Sequence, residues 1–155
     1  MKAKYFLKPK PFERFMNKTI GVAARLGFVP RYVYLLQVRG RRTGKIYSTP
    51  VNLLEFKGRL YLVGGRGHTA WSKNAAASGE VTLIRGRDVQ RLRVVELPDD
   101  QKPEILRAYL NEYRQTVQRF FSAPADAPLD AFSAIADRHP VFELIRGQTP
   151  PAPNS

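Results

Sequence analysis

YVYLLQVR (Tyr32–Arg39), GRRTGK (Gly40–Lys45) and STPVNLLEF (Ser48–Phe56) follow one another in the middle of the chain. The first and third are rich in aromatic, β-branched and apolar residues and read as strands. The second breaks them with two glycines and a cluster of cations. Lys57-Gly58 then makes a tight turn into Arg59–Val63, so a hairpin is expected. Gly64-Gly65-Arg66-Gly67 ends that pattern. Thr69 is a suitable N-cap for a short helix over Ala70–Ser78, with Gly79 to stop it. Val81–Ile84 and Val89–Leu97 form a further expected hairpin around Gly86-Arg87-Asp88.

Toward the N-terminus, residues 1–10 form a basic, proline-broken arm. From Pro11, the residues Phe12, Phe15, Met16, Ile20, Ala23 and Leu26 recur at helical spacing, and Gly27 suits the end of that helix. It either packs on the core or offers a basic amphipathic face to a membrane or a substrate pocket. Toward the C-terminus, Pro98-Asp99-Asp100 opens a long expected helix to about Phe121. Ile105, Leu106, Tyr109, Leu110, Tyr113, Val117 and Phe120 lie on one face of it. A loop, Ser122–Pro128, leads to a shorter helix over Leu129–Asp137 and a last strand over Pro140–Ile145. The tail 147–155, GQTPPAPNS, cannot bury itself and is read as disordered.

Too little helix separates the strands for a βαβ sheet. The expected class is α+β, mainly β. It is a small antiparallel barrel of about six strands, closed or half-open, with an N-terminal helix and helices inserted before the last strand. Residues 1–146 form one domain.

The 155 residues are the usual size of a single domain. There are no cysteines, which excludes disulfides and thiolate chemistry, and only His68 and His139 could serve a histidine metal centre. The absence of cysteine and of a secretory signal fits a cytoplasmic protein. No apolar run spans a bilayer. Lys and Arg number 26 against 13 Asp and Glu, a net charge of +13. Such a field gathers anions, whether nucleic acid, an acidic membrane surface or a phosphorylated small molecule.

Four cations, a hydroxyl and two glycines in Arg39–Lys45 suit a phosphate. Glycines let amides approach an anion and form a nest, and arginine forks match its oxygens. The spacing is not that of a Walker A loop. Pro50, early in a strand, suits an edge or bulge that a planar ring could approach. The glycine-rich loop before a helix also suits an anion, and Trp71 and Asn74 share one face of that helix. A core tryptophan and a loop histidine are the competing readings of Trp71 and His68.

Taken in order, LLQVRGRRTGKIYSTPVNLLEFKGRLYLVGGRGHTAWSKN resembles the central segment of the deazaflavin-dependent nitroreductases, F420H2-dependent oxidoreductases of the FMN-binding split-barrel superfamily. The likeness runs from about Tyr32 to Leu97. It implies a split β-barrel and coenzyme F420, with its phosphate and oligoglutamate tail. By position it implies that Gly40, Arg41, Arg42, Thr43 and Gly44 hold the phosphate, and that Ser48, Thr49 and Pro50 line the deazaflavin ring. Gly65, Arg66, Gly67, Trp71, Lys73 and Asn74 would complete the site. Relatives place a basic residue where Tyr47 stands; Lys45 could replace that contact. The glycine-rich loop is also shorter here before Trp71.

The activity so implied is hydride transfer from reduced deazaflavin to a small electron-poor acceptor such as a quinone, nitro compound or enone. Tyr109 and Tyr113 are candidates to line the acceptor side and donate a proton, with core packing as their competing role. FMN is the alternative cofactor within the fold. A non-catalytic basic barrel binding nucleic acid or lipid is the alternative class. Nucleic acid is not expected, because the aromatics fall in apolar patterns rather than among the basic residues. The protein is expected as a monomer or a homodimer, with membrane contact confined to the N-terminal helix.

Overall fold

The computed structural model describes residues 5–7 and 30–146. The helix expected from Pro11, most of the basic arm and the tail lie outside the described residues.

Strand β1 (Val33–Arg39) pairs antiparallel with β2 (Ile46–Asn52) and β5 (Glu80–Arg85). With β3 (Leu54–Phe56), β4 (Arg59–Val63), β6 (Asp88–Glu96) and β7 (Val141–Arg146) they form a seven-stranded sheet. Its order is β2-β1-β5-β6-β7-β4-β3. Every pairing is antiparallel, and the sheet curls into a half-barrel. Leu36, Val38, Leu62, Leu83, Leu92 and Phe142 pack together as one buried cluster of the sheet. Lys57 and Gly58 both take positive φ (50° and 75°), the pair of left-handed residues that a twisted two-residue hairpin requires.

A second apolar cluster joins β3, β4 and β7 to the helices between β6 and β7. Those helices are α2 (Pro103–Glu112), α3 (Arg114–Val117) and α4 (Leu129–Ser133). The earlier α1 (Ala70–Ser78) has the expected limits. Thr69 accepts from the Ser72 amide at its start, and Gly79 is left-handed at its end. Among the described residues no helix is long and apolar enough to cross a membrane.

Three sequence expectations are corrected. Ser48–Phe56 is not one strand. It breaks at Leu53, whose amide donates to Tyr32 O at 2.7 Å and whose carbonyl accepts the Tyr113 hydroxyl. The chain thus leaves β1 on one edge and joins β4 on the other, which raises six expected strands to seven. The helix expected from Pro98 to Phe121 is also broken. A 3-10 turn, Asp99–Gln101, precedes Pro103, and Tyr113 leaves helical geometry (φ −115°, ψ 25°) as its hydroxyl reaches Leu53. After α3 the segment closes as a 3-10 turn, Gln118–Phe120. The helix expected over Leu129–Asp137 ends at Ser133, followed by a 3-10 turn at Ala136–Arg138.

Candidate functional site

A cavity of about 1250 Å³ opens between β2, the start of α1, the glycine-rich loop and the segment from Tyr109 to Phe120.

One end is polar and built on the β1–β2 turn. The Gly40 amide donates to Lys45 O at 2.7 Å, and the Gly44 amide to Gly40 O at 2.9 Å. Gly44 sits at φ 72°, where other residues are strained. The Arg41 amide and guanidinium both reach Asn74 Oδ1, at 3.1 and 2.8 Å. Asn74 is buried on α1, so it ties the turn to that helix. The Lys45 amide donates to Thr43 Oγ1 at 3.2 Å. These four amides are therefore committed within the protein. The amide nest suggested by the two glycines is replaced by a side-chain surface of Arg42, Thr43 and Tyr47, all exposed and all facing the cavity. Ser48, Thr49 and Pro50 continue that wall along β2, an edge strand where proline removes no ladder bond.

The other end is aromatic. Tyr109 is buried and lies 5.2 Å from Tyr113 and 6.2 Å from Phe121, centre to centre. Burial pushes the Tyr109 phenol up to about 12, against a hydrogen bond from the Asn52 side chain that lowers it. It therefore stays protonated across the physiological range. Tyr113 is also raised, by burial first and then by nearby negative charge on Glu112. Its hydroxyl is spent on Leu53 O, and its side chain does not line the cavity. Phe120 lies under two guanidinium groups, Arg66 at 4.4 Å and Arg119 at 4.6 Å, a favourable cation–ring arrangement.

Between the two ends runs Gly64–Gly67. Leu7 donates to Arg66 O at 2.8 Å, and His68 to Tyr5 O at 2.7 Å. A Cβ on Gly67 would fall 2.3 Å from Tyr5 O, and its φ is 98°. Glycine is needed there for the approach of the N-terminal segment rather than for an anion. His139 is buried behind this loop, stacked on Phe121 at 4.3 Å, with Nδ1 donating to Gly64 O at 3.1 Å. Burial holds its pKa down at about 4. His68 turns away and bonds Asp137 O at 2.9 Å.

Of the residues singled out in the sequence, Gly40, Arg41, Arg42 and Thr43 face the cavity, as do Ser48, Thr49 and Pro50. Gly65, Arg66, Trp71, Asn74 and Tyr109 face it too. Gly44, Lys45, Gly67, Lys73 and Tyr113 do not. Trp71 serves both readings, since it lines the cavity and packs 6.0 Å from Phe142 of the core. Sequence reasoning passed over Phe6, Asn52 and Arg119. Asn52 follows Pro50 by two residues, at the end of β2, where its side chain reaches Tyr109.

A family model described as F420H2-dependent quinone reductase matches residues 10–121. A search of the curated proteins finds no match. Among solved structures the fold is similar to an F420-H2 dependent reductase (FDR-A), at 21% identity and TM-score 0.50. That match covers 74% of this chain and 94% of the other. It is also similar to Atu2129 from Agrobacterium tumefaciens, a protein of unknown function, at 16% identity and TM-score 0.54, covering 93% and 59%. HutZ, a heme storage protein from Vibrio cholerae, matches at 10% identity and TM-score 0.52, covering 77% and 84%. Likeness at such identities carries the fold and nothing more, because this fold hosts unrelated ligands. The family match is of another kind. It spans well over half of the sequence, including the β1–β2 turn and the segment from Tyr109 to Phe121, and on that ground the chain belongs to the F420H2-dependent quinone reductase family.

Proposed function

We propose that the cavity holds coenzyme F420 with its phosphate at the β1–β2 turn and its ring beside Ser48–Pro50, facing an acceptor bound at the aromatic end. The reading rests on one observation: Arg42 and a row of hydroxyls line the cavity at the β1–β2 turn, while Tyr109, Val117 and Phe120 line its other end, with Arg66 and Arg119 over the Phe120 ring. A phosphorylated, planar coenzyme needs both surfaces in that order. Arg42 meets the phosphate directly, Thr43 and Tyr47 complete that wall of the site, and Asn74 holds Arg41 and the turn in place.

Bound there, reduced F420 supplies a hydride. The chain binds, orients and shields. Phe120 and Val117 line the acceptor side and exclude water. Tyr109, kept protonated by its burial, is the hydrogen-bond donor available to an acceptor oxygen. The acceptor is a small electron-poor molecule, with a quinone the first to test and nitro compounds and enones next. Residues 1–146 act as one domain in the cytoplasm, as a monomer or a homodimer.

Fluorescence titration of the purified protein with F420, beside FMN, tests the reading. Saturable F420 binding with none of FMN, followed by quinone-dependent oxidation of F420H2, is the expected result. Absence of F420 binding overturns it.

A further inference from the structure

Tyr47 carries no charge, yet it stands in the middle of the cationic end. It is inward on β2, opposite Val38 of β1, and about half exposed to the cavity. Its ring occupies the space a side chain at position 40 would need. A Cβ on Gly40 would lie 2.5 Å from a Tyr47 ring carbon. Its hydroxyl is 3.1 Å from Thr43 Oγ1, which in turn accepts the Lys45 amide.

The bond between these two hydroxyls can run either way. The two hydroxyls own two protons, and the bond between them uses one. If Thr43 donates to Tyr47, each oxygen accepts one bond and donates one. The bonds then run from the Lys45 amide through Thr43 to Tyr47, each strengthening the next. The remaining proton in that case sits on the phenol, the more acidic of the two groups. The turn's amides at positions 40, 41, 44 and 45 are already engaged, so those amides do not meet an anion here, whereas the exposed side chains of Arg42 and Tyr47 can.

We propose that Tyr47 donates its phenolic proton to a phosphate oxygen of the coenzyme, as the end of a hydrogen-bond chain from Lys45 through Thr43. The proposal rests on the reading of this cavity as the F420 site. It makes one phosphate contact a neutral donor, which salt does not screen as it screens a guanidinium.

The test measures dissociation constants of wild type, Tyr47→Phe, Thr43→Val and the double variant. Each is titrated with F420 and with the deazaflavin chromophore lacking phosphate and glutamates. Tyr47→Phe keeps the ring over Gly40, and its melting curve checks folding. Loss of a hydrogen bond to a charged group predicts F420 affinity about tenfold weaker, with the phosphate-free ligand unchanged. Thr43→Val gives a smaller loss, also confined to F420, and the double variant is no weaker than Tyr47→Phe. Unchanged F420 affinity in Tyr47→Phe overturns the proposal. So do equal losses on both ligands, which would make Tyr47 a support for the turn, or a larger loss in Thr43→Val. Should Tyr47→Phe not fold, Thr43→Val decides: a loss on F420 alone supports the chain, and any other result overturns it. If wild type itself does not bind F420, the functional reading falls and this proposal with it. If wild type binds and Tyr47→Phe binds equally well, only this proposal falls.

Discussion

At one end of the cavity Arg42, Thr43 and Tyr47 stand exposed on a turn, held by backbone bonds and by Asn74. Behind the other end, Phe121 and His139 are buried and stacked, and Phe121 packs on Tyr109, which lines the cavity. The first group can change without disturbing the core, because little apolar surface depends on it. The second is continuous with the cluster that joins the helices to β3, β4 and β7. Recognition of charge and stability of the fold are therefore carried by different residues, one group lining the cavity and the other packed behind it.

The largest effect should come from the packed end. Phe121→Ala empties a ring site against His139 and Tyr109. A loss of about 3–5 kcal/mol and a Tm lower by roughly 10 °C are expected by thermal melting. A variant that melts with wild type would erase the contrast between the ends. His139 gives the next effect. Its pKa is held at about 4 in the folded state, below the ordinary 6.5. The unfolded chain therefore binds this proton first as pH falls. Stability is present in full above about pH 6.5 and is lost toward about pH 4, by about 3 kcal/mol at most. Denaturant unfolding across that window should slope for wild type and slope less for His139→Gln, which can still donate toward Gly64 O. Equal slopes would show that the histidine is not held neutral.

The same contrast explains what the sequence could tell. The limits of α1 were legible because Thr69 and Gly79 act locally, through one cap bond and one left-handed residue. The Lys57-Gly58 hairpin was legible for the same reason. Leu53 was not, because its break follows from distant partners, Tyr32 O and the Tyr113 hydroxyl. The break at Tyr113 is the other half of that contact. In the site, the residue types of the β1–β2 turn announced an anion. Whether amides or side chains would meet it depended on Asn74, 33 residues beyond Arg41. The placement of Phe6 and Arg119 rests on long-range packing of a kind that local periodicity does not record.

Asn74 is buried on α1 and holds the turn, so its loss should show in both stability and affinity. Asn74→Ala removes a buried acceptor of two Arg41 hydrogen bonds. About 2 kcal/mol of stability should go, and F420 affinity should fall as the turn loosens. Lower stability with unchanged affinity would mean that the turn is held by its own backbone bonds alone. The smallest free-energy change belongs to Arg42→Ala, and it sharpens the comparison most. Arg42 is exposed, and nothing in the core leans on it. Removing one charge-assisted phosphate contact should weaken F420 about tenfold, near 1.4 kcal/mol, with the melting curve unchanged. Because that contact is ionic, the dependence of F420 affinity on salt should flatten in Arg42→Ala, while Tyr47→Phe leaves it as in wild type. If both variants flatten it alike, the polar end works as one diffuse cationic patch. If only Arg42→Ala does, the phosphate is read there by two distinct contacts, one charged and one neutral.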